Sequence, residues 1–367
     1  MELAWLKWDP NSDIILIPYL GLPLTWYGIF FATGFLIGFH IFVYMLQRFF
    51  IQFPEFHLGE VDFRAWKKRP IKELSSMKYN DLTTAESLLN TPTAEPSSLN
   101  SLLAFAKRVV PSETYERVKT RQALEENYPE VFIPIKQRAS IFAEKVLLYV
   151  LVATIIGARL GHILFYEKPL DYLLHPLSIL KTWEGGLASH GGILAAGIAI
   201  VILHRRIQKS MPELNIWTLL DYLAVPGLFI CAMIRFGNFF NQEILGAKSH
   251  QPWAIIFGHP RGGEANVPRH PAQLYEAFFY LTFFAALFTL WKRVGHRSLP
   301  GQICGLGITI GFVFRFFIEF VKTEQSVWFN GIGNFLNMGQ WLSFPMIALG
   351  LFFLFRRKDQ SDLGRVA

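Results

Sequence analysis

Seven long apolar runs, each about the length of helix that crosses a hydrocarbon core roughly 30 Å thick, govern what this chain can fold into. Hydropathy windows of about 19 residues place them at 25–47, 141–166, 187–204, 216–236, 271–291, 301–321 and 338–355. Of 367 residues, 52% are hydrophobic and only 17% charged, too few polar groups for two or three water-soluble domains. In lipid, each segment must satisfy its own backbone hydrogen bonds, so the expected fold class is an all-α integral membrane protein with about seven transmembrane helices.

The net charge of +7 does not indicate a nucleic-acid surface, because Lys and Arg form no stripe with interleaved aromatics. They cluster after apolar runs: Arg205, Arg206 and Lys209 after the third, Lys292, Arg293 and Arg297 after the fifth, Arg356, Arg357 and Lys358 after the seventh. With those loops inside, the N-terminus is periplasmic, the C-terminus cytoplasmic, and the connections 167–186, 237–270 and 322–337 face outward. The start, Met1-Glu2-Leu3-Ala4-Trp5, lacks the basic region and cleavage site of a removable signal. Cys231 and Cys304 each lie in an apolar run, which suits core packing rather than a disulfide.

The expected organisation is 1–50, an N-terminal segment with the first span; 51–140, a cytoplasmic insertion; 141–358, a membrane core of six helices; and 359–367, a tail. The insertion carries Lys67-Lys68-Arg69 and a Pro/Ser/Thr-rich stretch at 91–98. Its middle is expected to be partly disordered, with a short amphipathic helix over 100–128.

Charges inside spans cost at least about 2.5–3.5 kcal/mol each at mid-membrane, so each one raises a functional hypothesis. Arg315 lies 14 residues after Gly301, roughly 21 Å up the sixth span at 1.5 Å per residue. Glu319 follows at i+4, where the two can pair. His190 opens the third span, Arg235 closes the fourth, Gln273, Tyr275 and Glu276 open the fifth, and Tyr27 opens the first. Arg159 and His162 add a basic face near the outer end of the second. Singly, each has a plain explanation: arginines snorkel, Trp26 and Tyr27 fit an aromatic belt, and Arg315 with Glu319 fits a structural pair. Their convergence on one leaflet favours a site. His40, Lys145 and His204 lie toward the other face, and Asp221 reads as structural or interfacial. Glycines flank His190 in Glu184-Gly185-Gly186-Leu187-Ala188-Ser189-His190-Gly191-Gly192, permitting close helix packing or ligand approach.

The stretch Arg235-Phe236-Gly237-Asn238-Phe239-Phe240-Asn241-Gln242-Glu243-Ile244-Leu245-Gly246 resembles the prolipoprotein diacylglyceryl transferase signature R-x-G-N-x-x-N-x-E-x-x-G. Trp26-Tyr27-Gly28, Ser189-His190-Gly191-Gly192, Arg269-His270-Pro271-Ala272-Gln273-Leu274-Tyr275-Glu276 and Phe314-Arg315-Phe316-Phe317-Ile318-Glu319-Phe320 resemble further family motifs in order, and Gly157-Ala158-Arg159-Leu160-Gly161 is similar too. The resemblance covers about 18–50 and 140–358. Ala195, Ile234 and Leu245 depart from the family pattern at packing positions, and the insertion departs more.

The resemblance implies transfer of the sn-1,2-diacylglyceryl group of phosphatidylglycerol to a prolipoprotein lipobox cysteine, giving a thioether and glycerol phosphate, the first step of bacterial lipoprotein maturation. It implies an inner-membrane enzyme whose site faces the periplasmic leaflet, partnered by phosphatidylglycerol, the signal-peptide lipobox and the bilayer, with no cofactor, metal or nucleic acid. A free thiol titrates near pH 8.5, so it needs a base or a positive field to become the thiolate; His190 is expected to supply the base, with Glu243 as the alternative. Arg235 and Arg315 are expected to clamp the phosphate. Tyr27 is expected to contact the headgroup, and Asn238, Asn241, Gly246, Glu319, Arg159, His270, Gln273 and Tyr275 to complete the substrate site. Two readings from other classes are a transporter for an anionic lipid or metabolite, and a scaffold acting through the insertion. Transport would place polar residues across both leaflets, often in paired half-repeats, and neither pattern is visible.

Overall fold

The computed structural model describes residues 5–11, 13–17, 22–52, 107, 120, 133–166, 172, 178–179, 189–208, 214–294, 300–323 and 336–356. Among them are seven α-helices: α1 (Trp26–Gln52), α2 (Ile135–Tyr166), α3 (Ser189–Ile207), α4 (Ile216–Phe240), α5 (Ala272–Val294), α6 (Gln302–Ile318) and α7 (Met338–Phe355). A 3-10 turn, Glu319–Val321, continues α6. Each helix lies on one of the seven apolar runs. Among the described residues, five stretches are long and apolar enough to cross a membrane, Trp26–Ile51, Ile135–Leu164, Ile216–Phe240, Ala272–Val294 and Gln302–Val321. α7 is shorter, and α3 ends on His204, Arg205 and Arg206. The chain is an all-α integral membrane protein. The expected disorder and amphipathic helix of the insertion, and the 359–367 tail, lie outside the described residues.

Two compact units divide the chain, Met1–Phe42 with Leu214–Ala367, and Val43–Glu213. In the second unit α2 runs for 32 residues, roughly 48 Å at 1.5 Å per residue and longer than a hydrocarbon core is thick. Its first turns, before residue 141, therefore extend beyond the expected span; there the Arg138 guanidinium lies 5.2 Å from the Phe50 ring centre. α2 and α3 approach through small residues. A Cβ on Gly157 would strike Ala195 and the Gly191 carbonyl, and one on Gly191 would strike the Gly157 carbonyl. Helices in lipid gain no hydrophobic drive from each other, so close backbone packing of this kind holds them together.

In the first unit α4 packs against α5 and α6, and α6 against α7. Phe279 of α5 and Phe314 of α6 stack with ring centres 3.7 Å apart, and Phe30 of α1 stacks on Phe236 of α4 at 5.8 Å. Asn215 caps α4 through the Thr218 N–H, and Asn337 with Gln340 forms a reciprocal capping box on α7. The N-cap residue of α6, Gly301, has no side chain to offer. Asp221, buried on α4, accepts from Gly301 N and Cys304 N instead, each at 2.7 Å. Cys304 is buried as expected, but Cys231 is exposed on α4.

The sequence pattern did not announce the short strands outside the helices. β1 (Leu6–Trp8) pairs in parallel with β4 (Ile255–Phe257), which pairs with β5 (Pro268–Arg269); β2 (Asp13–Ile17) and β3 (Leu22–Thr25) form a hairpin. Phe239, Leu245, Ile255 and Phe257 make a small core that Trp8, Phe240 and Leu274 cover. Trp8 stacks on Phe239 at 4.6 Å and donates its indole N–H to the Phe239 carbonyl. This cap fixes the outgoing end of α4.

Asp221→Ala leaves two buried N–H groups at the α6 terminus unpaired and should lower stability by roughly 2–3 kcal/mol, with a smaller loss for Asp221→Asn. Chemical unfolding in detergent micelles reads the difference.

Candidate active site

The last two turns of α4 carry Arg235 and Asn238, and its C-cap is Asn241. Beyond it, Gln242 and Ile244 adopt left-handed backbone, with φ of 53° and 57°. For a β-branched residue this is a strained state, which persists only where the surroundings enforce it. Gln242 accepts at its side-chain oxygen from His259 N at 2.8 Å and donates to Asp9 at 3.3 Å, while Asp9 also meets His259 Nδ1 at 2.6 Å. Glu243 sits between the two strained residues. Its N–H donates to the Asn238 carbonyl, and its backbone carbonyl accepts from the buried Gln273 amide at 2.7 Å. Its carboxylate accepts from Asn238 Nδ2 at 2.8 Å and Asn241 Nδ2 at 3.5 Å.

Arg235 donates to Asn238 Oδ1 at 3.0 Å and pairs through Nε with Glu276 at 3.1 Å. Glu276, in the second turn of α5, has no exposed side-chain surface; its other oxygen lies 3.6 Å from Lys322 Nζ. Lys322 also reaches Glu319 at 3.3 Å, and Glu319 pairs with Arg315 at 3.5 Å. Asn337, the cap of α7, donates to Glu319 Oε2 at 3.3 Å. Gly339 leaves room there, since a Cβ would come within 2.6 Å of Glu319 Oε1. The result is one chain of charge, Arg235–Glu276–Lys322–Glu319–Arg315. Its interior is buried and its two ends are not: Lys322 is 3% exposed and Glu276 0%, whereas Arg235 is 16% and Arg315 30% exposed.

Among the other expected site residues, Tyr27 packs on α4 at Gly237, where a Cβ would lie 2.7 Å from the Tyr27 ring. The Tyr275 hydroxyl accepts from Trp253 Nε1 at 2.7 Å and lies 3.2 Å from His270 Nδ1. Gly246 passes so close to the His270 carbonyl that any side chain would collide with it, and its own carbonyl accepts from Thr323 Oγ1 and Arg269. Arg159 and His190 belong to the second unit. Arg159 donates to the backbone carbonyls of Ile179 at 3.0 Å and Ser178 at 2.7 Å, which ties α2 to that turn. His190 is the second residue of α3, and its side chain lies outside what the structure describes.

Two members of the charge chain were not assigned from the sequence. Glu276 stood out only as a polar residue opening the fifth span. Lys322 was missed, although its i+3 spacing from Glu319 and i+7 spacing from Arg315 was a signal for it.

The fold and this site define a polytopic membrane protein with a half-buried cationic pair held by buried carboxylates, an arrangement suited to anionic headgroup chemistry. Residues 128–356 match the family model described as prolipoprotein diacylglyceryl transferase. A phosphatidylglycerol–prolipoprotein diacylglyceryl transferase of Protochlamydia amoebophila is 36% identical, covering 98% of this chain, the 51–140 segment included, and 97% of that relative. Proteins of the same name from Porphyromonas gingivalis and Chlamydia trachomatis are 42% and 43% identical, covering 58% and 55% of this chain and 76% and 72% of their own lengths. This chain belongs to the prolipoprotein diacylglyceryl transferase family.

Hydrogen bonds from His259 and Gln242 hold the Asp9 carboxyl below its ordinary value of 3.8. A depressed folded value means the contribution is complete above the ordinary value and lost as pH falls through the lower one. Asp9→Asn should therefore unfold with a flatter acid limb below about pH 4, read by thermal unfolding.

Proposed function

We propose that this chain transfers the diacylglyceryl group of phosphatidylglycerol to the cysteine thiol of a prolipoprotein lipobox, releasing glycerol phosphate. Family membership supports the reaction. The observation that carries it to these residues is the pair of partly exposed guanidiniums, Arg235 and Arg315, at the two ends of a buried ion-pair chain.

The chemistry divides among the residues as follows. The thiol gives its proton to a base, and the sulfur attacks the sp³ glycerol carbon that bears the phosphate. A C–S bond forms, the C–O bond breaks, and the electron pair leaves with the phosphate of glycerol phosphate. Negative charge therefore grows on phosphate oxygens, where fixed cations stabilise the transition state more than the ground state. Arg235 and Arg315 serve that role, and guanidinium stays charged beside lipid. Glu276, Asn238 and Glu319 orient the two arginines. Tyr27, Asn241, Gly246, Arg159, His270, Gln273 and Tyr275 complete the surroundings of headgroup and peptide. His190 acts as the base, with Glu243 as the competing assignment.

The positive-inside pattern supports an N-terminus outside and the 51–140 segment in the cytoplasm, and with the family reading it supports a site in the outer leaflet of a bacterial inner membrane. An exported lipobox cysteine would meet phospholipid there.

Purified protein given phosphatidylglycerol and a lipobox peptide should release glycerol phosphate only when the peptide carries its cysteine; release that is absent or independent of cysteine contradicts the reading. In the same assay, His190→Gln should lower kcat by roughly 10²-fold or more. Near-normal turnover in that variant, with loss in Glu243→Gln, moves the base to Glu243.

A further inference from the structure

Lys322 has no counterpart in the chemistry above, yet it is the middle member of the charge chain, between Glu276 and Glu319. Its ammonium lies 3.6 Å from Glu276 Oε1 and 3.3 Å from Glu319 Oε1, and its side chain is 3% exposed. Burial on that scale keeps it from touching a headgroup. Its backbone is held as firmly as its side chain. Lys322 bridges Gly246, with the Ala247 N–H donating to the Val321 carbonyl at 2.9 Å and the Thr323 N–H to the Leu245 carbonyl at 3.0 Å. The end of α6 is thereby laced to the loop that follows the signature glutamate.

From this arrangement we infer that Lys322 is a positioning residue for the transfer, the shared counter-ion that couples Arg235 and Arg315 into one phosphate clamp. The inference rests on the transferase reading for its chemistry. Glu276 holds Arg235 and Glu319 holds Arg315. Two carboxylates facing one buried space repel each other unless a cation stands between them. A lysine suits that place, because its compact ammonium has three donors and can face both at once. Lys322 also sets the charge of the cluster. The chain Arg235–Glu276–Lys322–Glu319–Arg315 has three cations and two carboxylates, so it carries one net positive charge that the single negative charge of a phosphodiester would balance. Without Lys322 it would be neutral, and each carboxylate would draw its arginine further inward.

The test compares wild-type protein with Lys322→Met and Lys322→Arg in detergent micelles, with the fold of each checked by thermal unfolding. Turnover is measured with phosphatidylglycerol and a lipobox peptide, and native mass spectrometry measures retained phosphatidylglycerol against phosphatidylcholine. Lys322→Met should lose roughly tenfold or more in kcat, a larger change than its rise in KM, and should lose preference for phosphatidylglycerol; Lys322→Arg should stay within about threefold of wild type on both. A folded Lys322→Met with wild-type kcat, or a folded Lys322→Arg that falls as far as Lys322→Met, overturns the inference. Should Lys322→Met not fold, Lys322→Gln takes its place under the same criteria. Absence of turnover in the wild type itself counts against the transferase reading; the lipid preference then decides the role of Lys322, its loss in Lys322→Met supporting it and an unchanged preference overturning it.

Discussion

Glu276 is a carboxylate with no exposed side-chain surface, and the rest of the site follows from the need to neutralise it. A buried unpaired charge costs several kcal/mol, and removing one partner of a buried pair typically costs about 3–5 kcal/mol. Arg235 on one side and Lys322 on the other meet that need. Lys322 brings in Glu319, which brings in Arg315. A single buried acid thus links α4, α5 and the end of α6, and it leaves the arginines as the partly exposed termini of the chain.

The loop after α4 adds a second constraint. Left-handed backbone at Gln242 and Ile244 is unfavourable by about 1–3 kcal/mol each, and it turns Glu243 back toward Asn238. What enforces it lies far away in sequence. Asp9 and Trp8 grip Gln242 and the Phe239 carbonyl from the N-terminal strand, and Gln273 grips Glu243 from α5. The small sheet is therefore the brace of the site.

The helices were legible in the sequence because a span is a local property: length and apolarity suffice, and all seven runs became helices. Arg235, Arg315 and Glu319 were legible because a charge in an apolar run is conspicuous. The strands were not, since β1 finds β4 across some 250 residues of sequence and neither strand exceeds three residues. Glu276 and Lys322 show an intermediate case. Both sit at the margin of a span, where a charged residue has a plain interfacial reading, and only the structure shows their side chains turned inward.

Whether Arg235 and Arg315 act on one phosphate as a single clamp is tested most directly by a double-mutant cycle on kcat with Arg235→Lys, Arg315→Lys and the combined variant. If both guanidiniums hold the same leaving phosphate, the combined loss should differ from the product of the single losses by a coupling of at least about 1 kcal/mol. Single losses that simply multiply, with coupling near zero, would mean the two arginines act apart and would contradict the account.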